Sequence, residues 1–136
     1  MEHVHGHCVC GGVEIEIKEY GHFVYACHCD NCRRMNSGPV LSVDPGPKEN
    51  VEFKSGQQLI TVYQDDDVDR GFCSVCGTTL YWYDPETNHY CMNAELFDDV
   101  IKEASFDLEL FYDMKPGYYT FAGERMKRDR NFEEIK

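Results

Sequence analysis

The chain has 136 residues, eight of them cysteine, and a formal net charge of −12 at pH 7. That length fits one domain with a single modest core, and 9 Tyr, 8 Phe and 1 Trp supply the apolar bulk to fill it. The acidity excludes ready binding to phosphate backbones or anionic membrane surfaces, so neither nucleic acid nor membrane is an expected partner, and no run approaches the roughly 18 apolar residues of a membrane helix.

The opening MEHVHGHCVC has neither the basic start nor the apolar centre of a secretory signal. A cytoplasmic, reducing setting is therefore expected, in which clustered cysteines hold metal rather than form disulfides. His3, His5 and His7 alternate here and read as a flexible terminus without a role. GGVEIEIKEY alternates apolar and charged residues as a half-buried strand does. FVYACHC, PVLSVD, VEFKS, QLITVYQ, TLYWYD, HYCMNAEL and DLELFY follow as further strands, several rich in β-branched and aromatic residues. DPGPKEN (44–50), the acidic QDDDVDR (64–70) and DPETN (84–88) punctuate them as solvated loops. Helical signals are confined to DNCRRMNSGP, with Asp30 as cap and Gly38 as terminator, and to LFDDVIKEAS. The end, GERMKRDRNFEEIK, lacks a sustained apolar face and reads as a fraying charged tail from about 126. The expectation is one mainly β domain over 1–136 with one or two short helices.

Seven of the cysteines form three clusters: Cys8 with Cys10, Cys27 with Cys29 and Cys32, and Cys73 with Cys76. Residues two apart on a strand face one side, so each C-x-C pair can offer two sulfurs to one ion, and C-x-x-C in a tight turn does likewise. Zinc suits such thiolate sites, and the usual ferredoxin spacings are absent. Cys10 and Cys76 are each followed by glycine, which allows the backbone to wrap closely around bound sulfur. Pairing those two clusters makes a closed, structural site of Cys8, Cys10, Cys73 and Cys76.

Cys27, Cys29 and Cys32 then surround a second zinc with one position open, the arrangement of catalytic sites. Strand alternation directs His28 away from its neighbours. Arg33 and Arg34 are candidates to clamp a substrate carboxylate, or else pair with surface acids. A closed second site would need Cys91, His22, His28 or His89 as its fourth ligand, although Cys91 reads first as a core thiol. His22, His28 and His89 are also the candidate general bases. Arg70 reads as a local offset to the DDDVD acids, and the Tyr81-Trp82-Tyr83 run as core.

On GHCVCGGVEIEI (6–17), CHCDNCRRMNSGP (27–39) and RGFCSVCGTTLYW (70–82), the chain resembles the glutathione-dependent formaldehyde-activating enzyme family, to which centromere protein V is related. The resemblance implies several coiled antiparallel β-sheets joined by zinc sites, as in a Rab-binding chaperone. It implies two zinc ions with the same four-plus-three division of cysteines. It also implies a carbon–sulfur lyase or synthase activity that joins formaldehyde to glutathione as S-(hydroxymethyl)glutathione, with a small thiol as partner. Tyr118 and Tyr119 stand where many relatives carry tryptophan, a departure that bears on the substrate rather than the metal. A non-catalytic zinc scaffold for a protein partner is the alternative.

Overall fold

Alternation decides the first hairpin. In Glu14–Ile17, Ile15 and Ile17 turn inward and are almost fully buried while Glu14 turns out. The computed structural model describes residues 3–136, so positions 1 and 2 of the expected domain lie outside the described residues. In chain order the strands and helices are β1 (Val4–His7), β2 (Glu14–Ile17), β3 (Phe23–Cys27), α1 (Asp30–Asn36), β4 (Val40–Val43), β5 (Val51–Ser55), β6 (Ile60–Asp65), β7 (Val68–Cys73), β8 (Thr79–Asp84), β9 (His89–Asn93), α2 (Asp98–Glu103), β10 (Ser105–Leu110) and β11 (Met126–Lys127). The chain is mainly β, as expected.

Two sheets hold these strands: a three-stranded β1-β2-β5 and an eight-stranded β11-β10-β3-β4-β9-β8-β7-β6. Pairing is antiparallel except at one edge, where β10 runs parallel to both β3 and β11. Parallel neighbours need long crossovers, and most of the chain lies between β3 and β10.

The core fills the space between the small sheet and one face of the large one. Ile15 and Ile17 pack there with Val43, Leu80 and Met92, and Phe97 and Val100 close the cluster. Burying each of these side chains contributes about 1.5–3 kcal/mol. Gly6 on β1 is required by the approach of Phe97, because a Cβ at Gly6 would sit 2.6 Å from that ring.

Four features differ from the sequence expectation. His5 and His7 are the outward residues of β1, alternating with inward Val4 and Gly6, rather than part of a loose terminus. QDDDVDR is a tight hairpin, not a loop: Asp65 pairs with Val68 across a turn in which Asp66 has φ 55°. Asp tolerates that conformation, and the acids concealed the strand VDRGFC that follows. Cys29 rather than Asp30 caps α1, and Ser37 at φ 58° ends it ahead of Gly38. The tail does not fray. The Arg128 N–H donates to the Glu109 carbonyl at 2.9 Å and the Ile135 N–H to the Lys127 carbonyl at 2.8 Å. Docking by backbone pairing leaves no apolar periodicity to read.

Candidate functional site

The two cysteine-bearing turns nearest the core share one geometry. At the end of β1 the Gly11 N–H donates to the Cys8 carbonyl at 3.0 Å, and at the end of β7 the Gly77 N–H donates to the Cys73 carbonyl at 2.8 Å. Both glycines take the left-handed conformation, φ 76° and 78°, that lets each turn close around sulfur. The donor sulfurs of Cys8, Cys10, Cys73 and Cys76 all lie within 4.8 Å of one another. Four thiolates about one tetrahedral ion at a metal–sulfur distance of about 2.3 Å stand about 3.8 Å apart. The Cys8–Cys10 and Cys10–Cys73 sulfur separations of 3.5 and 3.9 Å fit that requirement. Backbone donors support the charge, from Val13 N–H to the Cys8 Sγ and from Gly12 N–H to the Cys10 Sγ. The Thr78 hydroxyl, foremost among several donors, draws the Cys76 thiol down to about 5. Since Cys8 follows β1 of the small sheet and Cys73 ends β7 of the large one, this group ties the two sheets together.

The second group lies where β3 runs into α1. Cys27 closes the strand, Cys29 caps the helix and Cys32 lies in its first turn. Their sulfurs also fall within 4.8 Å of one another, and among the described residues no fourth Cys, His, Asp or Glu donor joins them. Cys29 is drawn down to about 2 by hydrogen bonds from Cys27 and Cys32, helped by the Cys32 N–H and Arg70. The same contacts push Cys27 far upward, Cys29 first and Cys32 second. Three sulfurs this close cannot all be thiolates without a counter-charge, and a divalent cation supplies one. The donor set thus fits a metal with an open coordination position.

These three sulfurs form part of the wall of a cavity of about 700 Å³. Period-two side chains build it on the face of the large sheet opposite the core: Tyr25 and Cys27 from β3, Ser42 from β4, Cys91 and Asn93 from β9, Leu108 and Leu110 from β10. Trp82 lines it too. Cys91 is therefore a cavity residue rather than a core thiol, and burial pushes it up to about 12.

Of the two placements expected for the arginines beside Cys32, Arg33 takes the pairing with a nearby acid. Arg33 donates through Nε to the His28 carbonyl at 2.9 Å and pairs with Asp30, while Arg34 is exposed. Neither lines the cavity; its guanidinium groups belong to Arg70 and Arg128. Arg70 donates to Asp65 at 2.8 Å and to the Cys32 Sγ at 3.7 Å, so the residue read as offsetting the acidic hairpin fastens that hairpin to the cysteine group.

The histidines also separate. His28 points away from the thiols, fully buried, with its Nδ1 at 2.6 Å from the Tyr119 hydroxyl and its Nε2 at 2.8 Å from Glu109. Burial lowers its proton affinity against the opposing pull of Glu109. Tyr119 consequently braces the back of the cysteine turn, and Tyr118 is exposed. His22 pairs with Glu103 away from the cavity. His89 meets it only indirectly, through Nε2 at 2.8 Å from Asp44, a cavity residue. Arg128 and Asp44 escaped the sequence reading because neither lies beside a cysteine cluster.

A family model described as glutathione-dependent formaldehyde-activating enzyme matches residues 3–114. An uncharacterised lyase of Schizosaccharomyces pombe is 32% identical over 126 residues, covering 91% of this chain and 89% of its own. A Rhodobacter sphaeroides protein of known crystal structure superposes with a TM-score of 0.61 at 23% identity, covering 75% of this chain and 98% of its own, which is a likeness of fold. Among the described residues no helix is long and apolar enough to cross a membrane.

Proposed function

The chain belongs to the glutathione-dependent formaldehyde-activating enzyme family, and from that premise we propose a zinc-dependent carbon–sulfur lyase or synthase acting on a small thiol such as glutathione and its aldehyde adduct. The observation that carries the proposal is three convergent sulfurs, Cys27, Cys29 and Cys32, on the wall of a cavity without a fourth protein donor among the described residues. Zinc held there would supply a Lewis acid and stabilise a thiolate. The four-cysteine group would hold a second zinc in a purely structural role.

In the synthetic direction the thiol sulfur bonds to the aldehyde carbon, and the thiol proton ends on the former carbonyl oxygen. In the lyase direction the same bond breaks and the proton returns. Cys29, as helix cap, and Arg70, bonded to Cys32, keep the three sulfurs in register. Asp44 is the acid–base group at the cavity: its Oδ1 accepts from Gly46 N–H and faces His89 Nε2, each at 2.8 Å, leaving Oδ2 to take the proton. His89 would position that carboxylate rather than meet substrate. Arg33 is engaged with Asp30 and the His28 carbonyl, which favours a guanidinium that lines the cavity over Arg33 or Arg34 as the clamp for a substrate carboxylate.

The test follows exchange between formaldehyde plus glutathione and S-(hydroxymethyl)glutathione by NMR exchange spectroscopy. Metal-replete protein should accelerate it over a buffer blank, and Cys29→Ser should abolish the acceleration. Exchange no faster than in buffer would overturn the reading.

A further inference from the structure

Residues 115–136 lie beyond the stretch that the family model matches, yet they supply two side chains to the cavity, Arg128 and Phe132. The segment is held in place. The Arg128 N–H donates to the Glu109 carbonyl at 2.9 Å, and β11 pairs in parallel with β10. Phe132 packs edge-on against Phe111, another cavity residue, with ring centroids 5.5 Å apart.

Arg128, like the exposed Arg34, stands outside the ion pairs that hold the other arginines, but unlike Arg34 it lines the cavity. Asp and Glu outnumber Lys and Arg by 25 to 13, and the arginine ion pairs are Arg33–Asp30, Arg70–Asp65, Arg125–Glu109 and Arg130–Asp113. Among the described residues no carboxylate lies within ion-pair distance of Arg128. One of its five N–H donors goes to the Phe132 carbonyl, at 2.8 Å. The other donors of this half-buried residue remain for a ligand in a cavity whose lining is mostly apolar, and a guanidinium without a counter-ion favours an incoming anion. Arg70, the other guanidinium of the cavity, is already committed to Asp65 and Cys32.

We propose that the C-terminal segment is the substrate-selecting wall of the cavity, with Arg128 gripping the carboxylate of an anionic thiol and Phe132 covering its stem. The inference rests on the function proposed above and narrows its substrate to thiols that carry a carboxylate remote from sulfur. A cavity of about 700 Å³ accommodates a peptide-sized thiol, within the usual range for small-molecule sites.

The test uses binding, read by fluorescence of the single tryptophan, Trp82, which lines the cavity. Four probes are titrated into the metal-loaded protein: glutathione, its diethyl ester, 3-mercaptopropionate and 2-mercaptoethanol. The acids should bind at least about tenfold more tightly than their neutral counterparts, as expected of a charge-assisted hydrogen bond. Arg128→Gln should erase that preference and leave the neutral probes unchanged, and Arg128→Lys should restore part of it. Equal loss for acid and neutral probes in Arg128→Gln would mean that Arg128 only holds the segment in place, which overturns the inference, as would an undiminished preference. Selective binding of 3-mercaptopropionate without glutathione would refute glutathione as substrate while upholding the anionic-thiol wall. Failure of every thiol to bind the unmodified protein would remove both.

Discussion

The Cys32 backbone N–H donates to the Cys29 Sγ at 3.4 Å. A cysteine sulfur thus stands where helix N-termini place a serine or aspartate oxygen. The bond fixes two of the three sulfurs by local backbone geometry, and Cys27 joins them from the last position of β3. The open group takes its three sulfurs from one continuous strand-to-helix segment, with Arg70 reaching Cys32 from β7, whereas the four-cysteine group draws its halves from two sheets.

The two groups should consequently respond differently to substitution. In Cys29→Ser the hydroxyl can still cap α1, so the thermal midpoint should stay within a few degrees while activity falls by at least about a hundredfold. Cys73→Ser removes a fully buried sulfur that joins the sheets. A structural zinc contributes about 10–16 kcal/mol of apparent binding energy, as much as the whole stability of a typical domain. Cys73→Ser should therefore be unfolded, as judged by circular dichroism. Equal collapse of both variants would erase the distinction.

Chelation should separate the groups in time. With metal loaded at both, a chelator should strip the open group first, changing Trp82 fluorescence while far-ultraviolet dichroism holds. Loss of the second ion should then unfold the chain. Simultaneous loss of both signals would show a single metal-dependent unit instead.

Much of this arrangement was legible in the sequence because it is written locally. The C-x-C spacings, the glycines after Cys10 and Cys76, and the alternation in EIEI each act over a few residues, and each has its expected structural counterpart. What sequence could not reveal depends on tertiary pairing. Arg33 and Arg34 adjoin Cys32 in the chain, yet α1 turns them away from the cavity, and Arg128 arrives from 96 positions later through β11. The charges of QDDDVDR and of the tail read as solvent-facing because their partners, Cys32 for Arg70 and Glu109 for Arg125, are distant in sequence.

Docking of the tail should depend on acidity. Arg130, through its hydrogen bond, holds the Asp113 carboxyl below its ordinary 3.8. A depressed carboxyl contributes stability that is present above its unfolded value and disappears as pH falls through the lower folded value. The difference in thermal midpoint between the unmodified protein and Arg130→Gln should be constant near neutrality, begin to shrink near pH 3.8 and vanish only once the pH has passed below the depressed folded value. A difference that persists there would assign the effect of Arg130 to packing rather than to this pair.

Glu109 offers the strongest test of the scaffold behind the cysteines. It is almost fully buried, with Oε1 at 2.8 Å from His28 Nε2 and Oε2 at 2.7 Å from an Arg125 nitrogen. Glu109→Leu leaves the Arg125 charge buried without a partner, a change expected to cost about 3–5 kcal/mol, measurable by urea denaturation. Glu109→Gln separates charge from hydrogen bonding: its carbonyl can accept from Arg125 while its amide donates to His28 Nε2, provided Nδ1 carries the imidazole proton toward Tyr119. The glutamine variant should therefore lose less than half as much stability as the leucine one. Because His28 lies between Cys27 and Cys29, the leucine variant should also weaken metal binding at the open group. Equal losses for the two variants would mean that the charge of Glu109, and not its geometry, holds the ring in place.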